Sequence, residues 1–315
     1  MFYIGVDLGG TGIKVGLVDE NGNIVAKDSM PTRAQEGYIA IAEDMATLIG
    51  KVLEQSGHTV DECKCIGIGC PGSVDDKNGV VYYSNNINMS DAPIADEVRK
   101  HIDLPVFVGN DANCAALGEY FALDDPEATS MVAVTLGTGV GSGIIIDGRI
   151  FTGFNGVAGE LGHTMLHTDG EDCTCGRKGC WEAYASATAL IRDTERAAKQ
   201  HPDSLVAKMV AENGGKASGR TAFDADRAGD AVGTEVKNNY IRYVAEGIVD
   251  IINTLRPHVV LIGGGISKEG DNLLLPIREY ADKYVYGAGT VPATDIRIAK
   301  LGNDAGIVGA AFLGK

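Results

Sequence analysis

Cys173, Cys175 and Cys180 stand in C-x-C-x4-C spacing, and His163 lies ten residues before the first of them. Thiolates and imidazoles are donors that Zn²⁺ prefers, and three of one with one of the other close a tetrahedral set. His163 is the better fourth ligand, and His167 is its rival. Gly176 and Gly179 permit the tight turns such a loop needs. With no fourth cysteine nearby, an iron–sulfur cluster is disfavoured. A closed four-ligand set has no open position for catalysis, so its metal would be structural. It would order a loop that carries Glu160, His163 and Glu182, side chains of the kind that read sugar hydroxyls. The other cysteines, Cys63, Cys65, Cys70 and Cys114, read as buried small hydrophobes.

A second kind of chemistry is suggested by three glycine-rich turns, each after an apolar strand: Gly9-Gly10-Thr11-Gly12, Gly137-Thr138-Gly139-Val140-Gly141 and Gly263-Gly264-Gly265. Backbone amides in such turns can approach phosphate oxygens because no side chain blocks them. A dinucleotide fingerprint needs a helix after its glycines, whereas "SGIIIDG" reads as a strand and hairpin. No Gly-Lys-Ser/Thr follows any of the three, which excludes a Walker loop. Any one turn alone could be a plain hairpin. Two in matching places, each with a threonine, point to a bound nucleotide. Asp7, at the first turn, suits Mg²⁺ beside phosphates, or else caps the turn. Asp111 follows a strand at its carboxyl end, where α/β sheets place ligands. It could take a proton from an attacking hydroxyl, or else be a helix N-cap. The glycine turns belong to other strands than the cysteine loop, so the two read as separable.

These residues need a scaffold, and the pattern supplies one. "FYIGVDL" (2–8) and "IKVGLV" (13–18) read as strands, and Asn21-Gly22 as a hairpin turn. Apolar residues at Ile41, Met45, Leu48, Ile49, Val52 and Leu53 recur with helical period from 38 to 56, ahead of Gly57. "CKCIGIGC" (63–70) and "PVFVG" (105–109) read as buried strands, and the latter runs into a helix start. The strand–turn–strand–hairpin–strand plan of residues 4–25 recurs at 132–153, about 128 residues on, as a duplicated domain would show. A long helix ends before Pro257, "HVVLI" (258–262) is a strand, and a helix near 272–285, a strand near 295–300 and a helix from Asp304 follow. Segment 200–235 is polar and weakly periodic and takes no assignment. Strands alternating with helices make the class α/β.

The chain has 315 residues, 44% hydrophobic and 22% charged, with a net charge of −16. That is enough chain for one large or two medium cores. The negative surface disfavours nucleic acid and anionic lipid. No apolar run approaches the roughly 20 residues of a membrane span, and the start lacks the pattern of a signal peptide. A cytoplasmic, reducing setting follows, in which clustered cysteines bind metal more often than they pair.

Taken together, "DLGGTGIK", "GNDANCAALGE", "LGTGVGSG" and "GELGH…CTCGRKGCWE" resemble the ROK family of repressors, open reading frames and sugar kinases, along essentially the whole chain. Within it the chain is most similar to bacterial glucokinases. The resemblance implies two actin-like (ribonuclease H-like) α/β domains with a cleft between them: residues 1–115, completed by 300–315, and residues 116–299 with the zinc loop. It implies phosphorylation of glucose at O6 by ATP with Mg²⁺, Asp111 being the general base. Gly72, Asn86, Asn110, Glu160, His163 and Glu182 match sugar-contacting positions. Asp7, Gly10, Thr11, Gly12 and Lys14 match the first phosphate turn, Thr138 and Gly139 the second, and Gly264 and Gly265 the adenosine side. His163 would bind zinc through one ring nitrogen and face the sugar with the other. A homodimer or tetramer is the implied assembly. An N-acetylhexosamine kinase shares all these motifs. A sugar-responsive repressor would carry a helix-turn-helix ahead of the strand that begins here at residue 2. One departure is Met89, where such glucokinases often show tryptophan.

Overall fold

The computed structural model describes residues 1–84 and 86–315. The elements run β1 (Phe2–Leu8), β2 (Gly12–Val18), β3 (Ile24–Pro31), α1 (Tyr38–Ser56), β4 (Cys63–Cys70), β5 (Ser73–Asp75), β6 (Val80–Ser84), β7 (Met89–Ala92), α2 (Ile94–Arg99), β8 (Val106–Asn110) and α3 (Asp111–Phe121). Then come β9 (Met131–Leu136), β10 (Val140–Ile146), β11 (Arg149–Ile150), α4 (Glu182–Ala185), α5 (Ala187–Gln200), α6 (Leu205–Glu212), α7 (Thr221–Arg227), α8 (Ala231–Leu255), β12 (Val259–Gly263), α9 (Asp271–Tyr284), β13 (Asp295–Ile298) and α10 (Ala305–Ala311).

Two sheets share one plan. The first has the order β3-β2-β1-β4-β8 and the second β11-β10-β9-β12-β13. In the first, β1, β2 and β3 are antiparallel neighbours, while β4 and β8 continue in parallel with β1. In the second, β12 lies parallel to both β9 and β13. The strand–turn–strand plan read twice in the sequence is thus met twice in the topology. β1 and β4 are apolar nearly throughout because both faces are covered, whereas β3 alternates in burial as a strand with one wet face does. The small sheet β5-β6-β7 left no clear mark in the sequence reading.

The chain divides into two compact units: Met1–Ser130 with Gly143–Gly159 and Lys300–Lys315, and Met131–Ser142 with Glu160–Ala299. The boundary expected at 115/116 would cut α3, an unbroken helix; this division comes at 130/131. Within the first unit, Ile41, Met45, Leu48, Ile49 and Val52 of α1 are buried in a core with β1, β2, β4 and β8. Gly57 ends α1 in the left-handed region, with φ 72°. α10 is also part of this unit and touches it backbone to backbone. A Cβ at Gly67 would fall onto the Ala310 carbonyl, and one at Gly309 onto that of Cys114. Part of the chain's glycine excess is therefore a packing requirement.

In the second unit, the unassigned segment 200–235 turns out helical: α6, α7 and the first turn of α8. Ser204 and Asp230 cap α6 and α8, accepting from the Ala207 and Gly233 amides. α8 is 25 residues long, well beyond the apolar stretch that marked it, and stops at Arg256 in the left-handed region before Pro257. Among the described residues no helix is long and apolar enough to cross a membrane.

Candidate active site and metal loop

The first unit brings its predicted residues to one sheet edge. In register, Asp7 of β1 lies opposite Gly69 of β4, and Gly69 opposite Gly109 of β8. Asn110 ends β8 and Asp111 opens α3. Asp7 and Asp111 therefore sit at the same carboxyl edge, about two strand spacings or roughly 10 Å apart by sheet geometry. The cap of α3 is Asn110, not Asp111. The Asn110 side chain accepts from the Ala112 and Asn113 amides, and its Nδ2 donates to the Gly72 carbonyl at 3.1 Å. That relieves Asp111 of the capping role which the sequence left open to it. Its Oδ1 accepts from the Ala112 amide at 2.9 Å. Burial, and then the charge of Asp111, push the Cys70 thiol up; Cys114 is raised by the same two causes. All four cysteines of this unit are buried, as small hydrophobes should be.

The first glycine turn closes on itself. The Gly9 amide donates to the Gly12 carbonyl at 2.9 Å, and Thr32 Oγ1 donates to the Gly9 carbonyl at 2.7 Å. Lys14 and Asp7 are cross-strand partners joined by an ion pair of 2.7 Å. Thr11 is exposed. Asn86 stands beside this turn: a Cβ at Gly10 would meet its carbonyl at 3.2 Å. Gly72 has φ +106°, and a Cβ there would strike the Tyr83 carbonyl. Met89, the departure from the glucokinase pattern, is 3% exposed within the core.

The second unit carries the other two turns. Thr138 is exposed at its turn just as Thr11 is. The Gly137 carbonyl accepts from the Ala187 amide at 2.8 Å, and the Thr138 carbonyl from Thr188 Oγ1 at 2.7 Å. Gly264, at φ +87°, lies so close to Leu136 that a Cβ would hit its backbone. Beside Gly265 opens a cavity of about 630 Å³ with Ala187, Gly219, Arg220, Arg227, Lys268 and Asn272 in its wall. Residues 219–227 were missed by the sequence reading. They form no motif, and only their position as the start of a short helix in a glycine-bearing loop could have drawn notice.

The metal loop assembles as predicted by its spacing. One ligand atom from each of His163, Cys173, Cys175 and Cys180 lies within 4.8 Å of all the others. His163 Nδ1 is 3.6 Å from Cys173 Sγ, and Cys175 Sγ is 3.7 Å from Cys180 Sγ. A tetrahedral Zn²⁺ with Zn–S of about 2.3 Å sets its sulfurs about 3.8 Å apart, so the cage fits structural zinc. His167 is not part of it; its ring meets Tyr184 and Tyr243 edge-on, at 4.9 and 5.7 Å between centroids. The Arg177 amide pulls the Cys175 thiol down, while burial pushes Cys173 up and Cys180 up to about 12. Gly176 and Gly179 adopt φ of 88° and 76°. Trp181 ends the loop. It is buried, with Nε1 donating to the Tyr243 carbonyl at 2.8 Å.

Loop and turn are in direct contact, where the sequence reading kept them apart. Glu182 Oε2 accepts from the Val140 amide at 2.9 Å, and Glu182 Oε1 accepts from Thr174 Oγ1 at 3.2 Å. A Cβ at Gly139 would collide with the Glu182 carboxylate, and one at Gly162 with the Val140 carbonyl. The Leu161 amide donates to Ser142 Oγ at 3.1 Å. Glu160 is exposed.

The family model described as the ROK family matches residues 3–315. A glucokinase of Halalkalibacterium halodurans is 39% identical, over 100% of this chain and 95% of that protein. An N-acetyl-D-glucosamine kinase of Aliivibrio fischeri is 32% identical, over 99% of this chain and 98% of that one. Among solved structures, a ROK family glucokinase from Streptomyces griseus in complex with glucose and AMPPNP has a TM-score of 0.81 and 36% identity, covering 99% of each chain.

Proposed function

The chain belongs to the ROK family, and on that premise we propose that it is an ATP-dependent glucose kinase with Asp111 as its general base. The observation that carries the assignment of the base is the start of α3. Asn110 takes the capping work, leaving the Asp111 carboxylate at the sheet edge that also bears Asp7 and the first glycine turn. The full-length similarity to glucokinases supports the substrate and the donor.

In this reading Asp111 accepts the proton of the glucose O6 hydroxyl as that oxygen attacks the γ-phosphorus. The O6–P bond forms, the bond from the γ-phosphorus to its bridging oxygen breaks, and ADP leaves with the electron pair. Backbone amides of Gly10, Thr11 and Gly12, with Thr138 and Gly139, are assigned to the phosphates. Gly264 and Gly265, with the cavity beside them, are assigned to adenosine. Asn86, Asn110, Glu160 and Glu182 are assigned to sugar hydroxyls, with Gly72 keeping its backbone close. His163 has Nδ1 on the metal side, which leaves Nε2 for the sugar. Asp7, whose Oδ2 pairs with Lys14 at 2.7 Å, is a hard oxygen donor at the phosphate turn that would hold Mg²⁺, and the cation would supply neutralising charge to the phosphates. His163, Cys173, Cys175 and Cys180 would hold a zinc ion, whose role would be to keep the loop of Glu160, His163 and Glu182 in shape.

ATP turnover measured on glucose, mannose, N-acetylmannosamine and N-acetylglucosamine tests the reading. The kcat/KM for glucose is expected to exceed that of either N-acetylhexosamine by about 10-fold or more, since an acetamido group needs its own pocket. A higher value for an N-acetylhexosamine would move the protein to that class. No turnover of any hexose would remove the kinase reading.

A further inference from the structure

Glu182 opens α4 directly after the metal loop and at the same time touches the second glycine turn. One carboxylate oxygen accepts from the Val140 amide at 2.9 Å, inside that turn. The other accepts from Thr174 Oγ1 at 3.2 Å and lies 3.7 Å from Sγ of Cys173, itself a cage residue. Thr174 stands between two cage residues, Cys173 and Cys175, so its position is set by whatever holds those thiols. The Glu182 backbone is anchored too: Trp181 before it is buried and hydrogen-bonded to the Tyr243 carbonyl. Gly139 has no side chain, and any Cβ there would displace the carboxylate. A carboxylate bonded to a backbone amide makes a charge-assisted contact, stronger than a neutral one.

We infer that Thr174 and Glu182 form a relay by which the occupied cage holds the second glycine turn in its phosphate-binding shape, so that metal occupancy sets nucleotide affinity as well as sugar affinity. Glu182 acts here as a positioning residue, through the Val140 amide, in addition to the sugar contact assigned to it above. The inference rests on reading that turn as a phosphate site. Losing the metal frees Thr174, Thr174 releases Oε1, and the carboxylate no longer stays over the turn.

The test is binding of AMPPNP without any sugar, so that sugar contacts cannot contribute. Three proteins are compared: wild type with verified zinc and after stripping by a chelator and dialysis, Thr174→Val, and Glu182→Ala in both metal states. Stripping is expected to weaken AMPPNP binding to wild type at least about 10-fold, and added zinc to restore it. Thr174→Val is no ligand change; it is expected to keep its zinc and to bind AMPPNP about 5-fold more weakly. In Glu182→Ala the stripping penalty is expected to shrink below about 2-fold, because the relay is already cut. Stripped wild type that binds AMPPNP as well as loaded wild type overturns the inference. An equal stripping penalty in wild type and Glu182→Ala does so as well, and so does an unchanged affinity in zinc-loaded Thr174→Val. Loaded wild type that binds no AMPPNP at all is the distinct result that removes the functional reading together with the relay.

Discussion

The first and second glycine turns come from one structural plan but are held in different ways. The first is closed by its own strands: Gly9 to Gly12 through the backbone, Thr32 from β3 onto the Gly9 carbonyl, and Lys14 across the hairpin onto Asp7. The second has a backbone closure of its own, the Gly137 amide onto the Gly139 carbonyl at 3.0 Å, and leans in addition on residues 42 to 50 positions further along the chain. Glu182, Ala187 and Thr188 hold Val140, Gly137 and Thr138. A turn with remote supports inherits their condition. Ala187 and Thr188 belong to α5, while Glu182 adjoins the metal loop. Through that one contact, on the inference above, the second turn depends on the metal and the first does not.

Variants of the two regions can break that contrast. The largest effect is expected at the chemistry itself. Asp111→Asn keeps size and a hydrogen bond but cannot take a proton, so kcat should fall at least about 10²-fold while AMPPNP and glucose still bind. A variant retaining more than a tenth of wild-type kcat would show that Asp111 is not the base. Next is Cys175→Ser, which should lose zinc and lower kcat/KM for glucose by about 10- to 10²-fold, because misplacing positioning groups by about 1 Å costs rate on that scale. AMPPNP binding should weaken in the same sample. If it does not, the second turn is as self-sufficient as the first.

Lys14→Met probes the other side of the contrast. It removes the cation paired with Asp7 and should weaken AMPPNP binding about 10-fold. Zinc content, measured alongside, should stay at one per chain. The smallest effects separate two matched hydroxyls, each donating to a turn carbonyl at 2.7 Å. Thr32→Val leaves the Gly9–Gly12 bond and the Thr32 amide bond to the Thr11 carbonyl, so AMPPNP affinity should change by less than about 2-fold. Thr188→Val removes a support that comes from α5 rather than from the turn's own strands and should cost about 3-fold. Equal losses in the two would erase the difference between the turns.

Much of this protein was readable from local pattern. Alternating or continuous apolar runs gave the strands, the 3.6-residue period gave α1, and Asn21-Gly22 and Gly57 gave their turn and helix end. The cage was readable because zinc ligands cluster in sequence when a single loop must wrap an ion. Other features were not legible. Segment 200–235 becomes α6, α7 and the start of α8 through capping by Ser204 and Asp230 and through packing, and its hydrophobic stripe is thin. Part of the wall of the cavity beside Gly265 comes from residues 219–227, which acquire meaning only when the chain returns to that place.

The sequence by itself determined the plan of the fold, the three cysteine donors and the two carboxylates worth watching, because each of these is specified within a short stretch of chain. Tertiary structure decided the rest. It gave the cap of α3 to Asn110, where the sequence had left that role open to Asp111. It selected His163 over His167 by turning one Nδ1 toward Cys173 and the other ring onto tyrosines. It also joined Glu182 to Val140 across 42 residues of sequence. Such choices depend on which atoms meet when distant segments pack, and a backbone amide that receives a remote carboxylate leaves no trace in the residue types around it.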